Sequence, residues 1–174
     1  FAAALPALTV DGAGVMTGEK HAYRAEQTLQ IAVLTDFCNE CGNCTTACTT
    51  SGNPFQDKPR LYLDRADFEA EKDNAFMMFS DGTIEGRWNG ETHRLSVNGA
   101  VEYSSPSFSA RLDTETLAVL EATAGDGTVE GQTLSLNPPA DLYVLLRGLQ
   151  GAMPHIPVMA EDTGTKGAHP GYEE

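Results

Sequence analysis

The residues best equipped for chemistry are four cysteines confined to one stretch, Cys38-Asn39-Glu40-Cys41-Gly42-Asn43-Cys44-Thr45-Thr46-Ala47-Cys48, and the 174-residue chain has no others. Their spacing is C-x2-C-x2-C-x3-C. In that run the first three thiolates hold one cubane iron–sulfur cluster and the fourth is carried off on the following helical turn. A loop this short can surround a cluster only if its backbone N–H groups turn inward, which asks for small residues or residues that tolerate a left-handed conformation. Gly42 and Asn43 are both of that kind. Two other chemistries use cysteines. Structural zinc usually takes two ligand pairs separated by a long spacer, and the chain has no second pair. Disulfides between cysteines three residues apart in a tight loop have poor bridging geometry.

Cys38, Cys41, Cys44 and Cys48 are therefore the expected cofactor and metal ligands of a 4Fe-4S cluster. With three cysteines on one cubane and Cys48 facing a second, two cubanes need twice the thiolates present, so the rest are expected from a cysteine run upstream or on a partner chain. The start on Phe1 rather than Met fits a processed chain or a segment of something longer. No nucleophile–base pair, nucleotide loop or paired-carboxylate motif stands out, so no catalytic residue is assigned. Asp11-Gly12-Ala13-Gly14 with Gly18 lacks the spacing of a dinucleotide fingerprint and reads as a turn between short strands. His21, His93, His155 and His169 lie in unrelated segments without metal-ligand spacing.

The elements that must position the cysteines are read from periodicity. Phe1 to Leu8 is apolar, lacks a basic leader and is broken by Pro6, so it reads as an internal strand or linker. Gln27 to Leu34 alternates, with Leu29, Ile31 and Val33 on one side, and predicts a strand entering the cysteine loop; a helix from about Glu19 is the competing reading. A helical turn is expected after Cys48, stopped by Ser51-Gly52-Asn53-Pro54. Leu61, Leu63 and Phe76 to Phe79 read as strands. Beyond them Asp81-Gly82, Asn89-Gly90 and Asn98-Gly99 punctuate strand-like runs and predict an antiparallel meander. Asp113 predicts a helix to about Ala124 closed by Gly125. A strand at Thr133 to Leu136 is followed by a helix from Asn137-Pro138-Pro139, whose Leu142, Leu145, Leu146 and Leu149 fall on one face. The expected fold is α+β, a ferredoxin-like 4Fe-4S cluster-binding half followed by a small antiparallel β-meander with two helices. Its parts are a cluster-binding segment over 1–60, a packing or docking meander with helices over 61–152, and an extended acidic tail over 153–174.

A charge of −14, from 25 acidic against 11 basic residues, argues against nucleic acid or an anionic membrane as partner. It suits either a basic redox partner or a generally acidic, salt-adapted background. No apolar run reaches the length of a membrane span. A thiolate-bound cluster is normally assembled in a reducing compartment, which makes the cytoplasm the expected location.

The run Phe37-Cys-Asn-Glu-Cys-Gly-Asn-Cys44, continued by Gly52-Asn53-Pro54-Phe55 and Asp57-Lys58, resembles the C-terminal ferredoxin section of the selenate reductase iron-sulfur subunit family. The resemblance implies a part of a large cytoplasmic flavoprotein akin to the glutamate synthase small subunit and to dihydropyrimidine dehydrogenase. It also implies FAD and NAD(P) domains and the remaining cluster cysteines elsewhere in the protein or on a flavoprotein subunit. It carries the family's cluster ligands onto Cys38, Cys41, Cys44 and Cys48. The family has proline after its fourth cysteine where this chain has Thr49, a change that bears on fine geometry and potential more than on ligation. The expected function is electron transfer through a 4Fe-4S cluster within a multi-centre oxidoreductase whose substrate-converting centre is not in this chain. The alternatives are a free-standing ferredoxin-like carrier, or a cluster or zinc that staples an interaction module.

Overall fold

Residues 2–24 build a long hairpin, because alternating apolar residues on the first strand find a buried face and a glycine closes the turn. A computed structural model of the chain describes residues 1–12, 14–25, 31–48 and 52–152. In it β1 (Ala2–Asp11) pairs antiparallel with β2 (Gly14–Arg24), Gly14 taking φ 138° at the reversal. Leu5, Leu8 and Val10 of β1 are buried, whereas β2 is almost wholly exposed. The register slips between Pro6 and Leu8, where proline cannot donate to the ladder. On its other side β1 pairs through Leu8 and Thr9 with β11 (Thr133–Leu134). Of the strand or linker expected over 1–8 the hairpin has the strand, the turn expected between short strands joins strands of 10 and 11 residues, and β2 runs through Glu19 where the competing reading had a helix.

The second sheet has eight strands in the order β10-β9-β8-β7-β6-β5-β4-β3. These are β3 (Val33–Leu34), β4 (Arg60–Leu61), β5 (Ala75–Met78), β6 (Ile84–Trp88), β7 (Glu91–Val97), β8 (Val101–Ser104), β9 (Phe108–Leu112) and β10 (Val119–Ala124). From β5 to β10 every pairing is antiparallel, as the glycine turns predict. Asn89 and Gly90 both have positive φ, 54° and 79°, the backbone that a two-residue hairpin demands. β3 and β4 join the sheet in parallel. Four helices complete the described chain: α1 (Asn43–Ala47), α2 (Pro54–Asp57), α3 (Arg65–Ala70) and α4 (Asn137–Ala152).

The main core lies among the hairpin, α4 and one face of the large sheet. Leu142, Leu146 and Leu149 are buried from α4, with Leu145 packed beside them. In β5 the pleat divides the side chains, Phe76 entering this core while Ala75 and Met77 join Phe68, Tyr62 and Phe79 in a smaller one under α3. Asp64 caps α3 by accepting from the N–H groups of Ala66 at 2.8 Å and Asp67 at 3.0 Å.

The ferredoxin-like half followed by a separate small meander is overturned. The architecture is a mixed eight-stranded sheet plus a three-stranded one with few helices, and among the described residues no three His, Cys, Asp or Glu side chains are gathered as a metal-holding group. The physical reason is where the apolar residues of 1–60 go. Those of β1 are buried in the same core as the meander and α4, and β3 and β4 are two-residue strands at the edge of the meander's own sheet.

The helix expected at 113–124 is also corrected. Asp113 Oδ1 accepts from the N–H groups of Glu115 and Thr116 and from the Thr116 hydroxyl, and Leu117 turns through φ 53°, which sends Val119–Ala124 back against β9 as a strand. Of the strand expected over 27–34, residues 27–30 lie outside those described, and only Val33–Leu34 pairs. Pro54 opens α2 rather than ending a helix. The segment 153–174, with His155 and His169, lies outside the described residues.

Candidate redox site: the cysteine loop

The chain enters the loop from β3 through a 3-10 turn at Thr35–Phe37, and two side chains of that turn are fastened to the strand alongside. The Thr35 hydroxyl donates to the Leu61 carbonyl at 3.0 Å, and Asp36 accepts from the Leu63 N–H at 3.1 Å. Cys38 leaves the turn with its N–H on the Thr35 carbonyl. Asn39 folds its side-chain oxygen onto the Cys41 N–H at 3.3 Å, an Asx turn inside the first C-x2-C. The left-handed positions are Glu40, φ 52°, and Gly42, φ 77°, so glycine serves as expected while Asn43 instead starts α1. Cys44 rides on α1, and Cys48 ends it with its N–H on the Cys44 carbonyl at 2.9 Å. A helical turn thus precedes Cys48, and the one expected after it falls on residues 49–51, which lie outside those described.

A second layer braces the far end. Thr45 donates to Asn53 Oδ1 at 3.2 Å, Asp57 accepts from the Asn53 N–H at 2.6 Å, and Asn74 donates to the carbonyls of Gln56 and Lys58. At the near end Arg60 of β4 stands beside the loop. Its Nη2 lies 3.6 Å from Glu40 and 3.2 Å from Glu71, and its guanidinium is 5.3 Å from the centre of the Tyr62 ring. Tyr62 donates its hydroxyl to the same Glu71 oxygen at 2.9 Å. Burial, reinforced by that bond, pushes the Tyr62 phenol above its ordinary range. Among the described residues, the Arg60 Nε is the one buried side-chain polar atom with no hydrogen-bond partner.

Cys38 and Cys48 are half-buried, Cys41 and Cys44 are exposed, and none of the four forms a disulfide. Phe37, next to the first cysteine, is 76% exposed. All four cysteines are described, yet no three of them are gathered with one another or with His, Asp or Glu into a metal-holding group. As placed, the loop does not fit a cubane. It presents four accessible or half-accessible thiols on one short loop.

Arg60, Glu71 and Asn74 were missed from the sequence. An arginine on a two-residue strand carries no periodic signal, and its reach to Glu40 follows from a parallel pairing that only the fold reveals. The histidines stay outside the site. His21 bonds Asn137 at 3.0 Å, and His93 is buried with Nδ1 2.5 Å from the Tyr103 hydroxyl and its ring 4.8 Å from that of Trp88. Desolvation holds the His93 imidazole below its ordinary pKa, against a small opposing pull from Glu91. Burial pushes the Tyr103 phenol up to about 12. Glu85, buried in β6, takes Arg65 at 2.6 Å and Arg94 at 2.8 Å, a satisfied ionic cluster that ties α3 to the sheet.

Among the described residues no helix is long and apolar enough to cross a membrane. No family model matches the chain, and no solved structure matches it. Two curated proteins are similar to part of it. Each is named "Putative oxidoreductase YgfK", one from Escherichia coli strain K12 and one from Escherichia coli O157:H7. Each is 26% identical over 80 residues, which is 46% of this chain and 8% of the relative. The chain therefore spans under a tenth of the length of these relatives, and the link it establishes is a distant one to proteins named as oxidoreductases.

Proposed function

We propose that this chain is the electron-transfer part of a larger oxidoreductase and that Cys38, Cys41, Cys44 and Cys48 are the ligands of its iron–sulfur centre. The observation that carries the reading is the C-x2-C-x2-C-x3-C spacing on a loop with accessible thiols and with left-handed backbone at Glu40 and Gly42. The distant similarity to proteins named as oxidoreductases supports the redox class. In this reading the flavin and nicotinamide nucleotide sites, the remaining cluster cysteines and the substrate-converting centre belong to other parts of the protein or to a partner. The chain's own residues provide the thiols, their tether to the sheet edge through Thr35 and Asp36, and an arginine beside them.

Anaerobic reconstitution of the full chain with ferrous iron and sulfide tests this. The expected product is brown, with labile sulfide in proportion to iron, and Cys41→Ser or Cys44→Ser reduces both together. Stoichiometric zinc without sulfide, or retention of the full cluster by the serine variants, would refute the assignment.

A further inference from the structure

One face of the large sheet carries a row of aromatic rings from Phe76 on β5 through Trp88, His93 and Tyr103 to Phe108 on β9, each in contact with the next. Gly86 pairs with His93 across β6 and β7, and having no side chain it leaves room for the Trp88 ring; an added Cβ would stand 2.8 Å from that ring. Trp88 thereby meets the His93 ring edge-on at 4.8 Å, and on the next strand Tyr103 sets its hydroxyl 2.5 Å from His93 Nδ1. We infer that Trp88, His93 and Tyr103 form a one-electron oxidation relay, in which Trp88 is the entry, Tyr103 holds the hole and His93 is the base that takes the tyrosine's proton. The inference is independent of how the cysteines are used.

The three rings differ in access. Trp88 is half-buried, so a dissolved oxidant reaches its indole, whereas His93 and Tyr103 are 8% and 3% exposed. A one-electron oxidant of the azidyl or peroxyl radical class takes an electron from Trp88 and is reduced to its anion. Tyr103 then returns an electron to Trp88 while its phenolic proton passes along the hydrogen bond to His93 Nδ1, leaving a neutral phenoxyl radical beside an imidazolium. An enediol reductant of the ascorbate class supplies one electron to the phenoxyl, the proton returns from His93, and the pair is restored. Burial closes both stepwise routes. Losing the proton first is opposed because burial pushes the Tyr103 phenol up to about 12, and losing the electron first would place a tyrosine cation in the core. His93 is in the state that accepts. Desolvation holds it below its ordinary pKa, so the imidazole is neutral, and with Nδ1 accepting, its own proton sits on Nε2. The 2.5 Å separation brings the base within direct reach of the proton it takes.

Trp88 is the chain's one tryptophan, so azide radicals made by pulse radiolysis of the full chain give a single indolyl radical. In the parent the indolyl absorption is expected to decay as the phenoxyl absorption grows, at a rate independent of protein concentration and slower in deuterium oxide. Tyr103→Phe should leave the indolyl radical without that growth, although Tyr23, Tyr62, Tyr143 and Tyr172 remain. His93→Gln keeps a hydrogen-bond acceptor but no base, and should slow the growth by about a hundredfold. Phenoxyl appearing in Tyr103→Phe at the parental rate, or an unchanged rate in His93→Gln, would overturn the relay. Where a variant fails to fold, the parent decides by itself: absence of phenoxyl growth, or the same rate in both waters, refutes the coupled transfer.

Discussion

One substitution, glycine to alanine, is expected to act with opposite signs at two positions joined by α4. Gly86 is buried in β6, where an added Cβ would lie 2.8 and 2.9 Å from the Trp88 ring and 3.0 Å from Leu142 Cδ2. Neither neighbour can retreat freely. The Trp88 ring is set edge-on against Phe76 at 5.6 Å and His93 at 4.8 Å, and Leu142 belongs to a helix held down by buried Leu146 and Leu149. Overpacking of this kind costs about 1–3 kcal/mol. The smaller entropy of the unfolded chain returns about 0.4–1 kcal/mol, because Gly86 does not need a left-handed backbone. Taking the middle of both ranges, the net loss expected for Gly86→Ala is about 1.3 kcal/mol, or about 3–5 °C in Tm for a chain of this size. Gly148 is an exposed position of α4 with nothing within 4 Å of the added carbon, so Gly148→Ala gains about 0.5–1 kcal/mol of helix propensity. Urea unfolding followed by circular dichroism, with unchanged m-values, reads both. A Gly86→Ala chain as stable as the parent, beside a stabilised Gly148→Ala, would refute the packing of α4 over β6.

Two further outcomes test the fold around the site. Since burial lowers the His93 pKa from 6.5, its contribution is complete above that pH and is lost as the pH falls, so the parent's stability drops below pH 6.5 more steeply than that of His93→Gln; parallel acid-side profiles would remove His93 from the account. Replacing Asp64 with Ala strips the cap from α3 and should cost about 1 kcal/mol in the same urea assay.

What could be read from the sequence follows from how local each signal is. Asn89-Gly90 needs only its own backbone to make a hairpin turn, and the leucines of α4 need only a helical period, so both were legible. The 113–124 segment misled for an equally local reason. β10 slips register between Val119 and Glu121, and the slip places its half-buried residues at Val119, Ala122 and Ala124. From sequence Asp113 and Gly125 look like the two ends of a helix, but Asp113 caps only the turn at Glu115 and Thr116, and Leu120 is exposed rather than part of a buried stripe. β3 and β4 were illegible because two residues carry no period, and their parallel pairing is set by Thr35 and Asp36 reaching the chain at Leu61 and Leu63. The pairing of β1 with β11 joins residues more than a hundred positions apart, and nothing in either segment names the other.

The cysteine spacing is read from residue type and interval alone, and both survive whatever the rest of the chain does. It does not specify convergence, which depends on residues outside the run. The loop hangs from the edge strand of the large sheet and its 3-10 turn and α1 bury nothing, whereas the main core runs through β1, the meander and α4. A segment with so little buried surface can rearrange at a free energy far below that of global unfolding. Small polar contacts hold it instead: an ion pair to Arg60, hydrogen bonds donated by Thr35 and Thr45, and one accepted by Asn39. The same contacts would be negligible in the core. At the loop, where no packing competes, they fix the backbone on which the four cysteines ride.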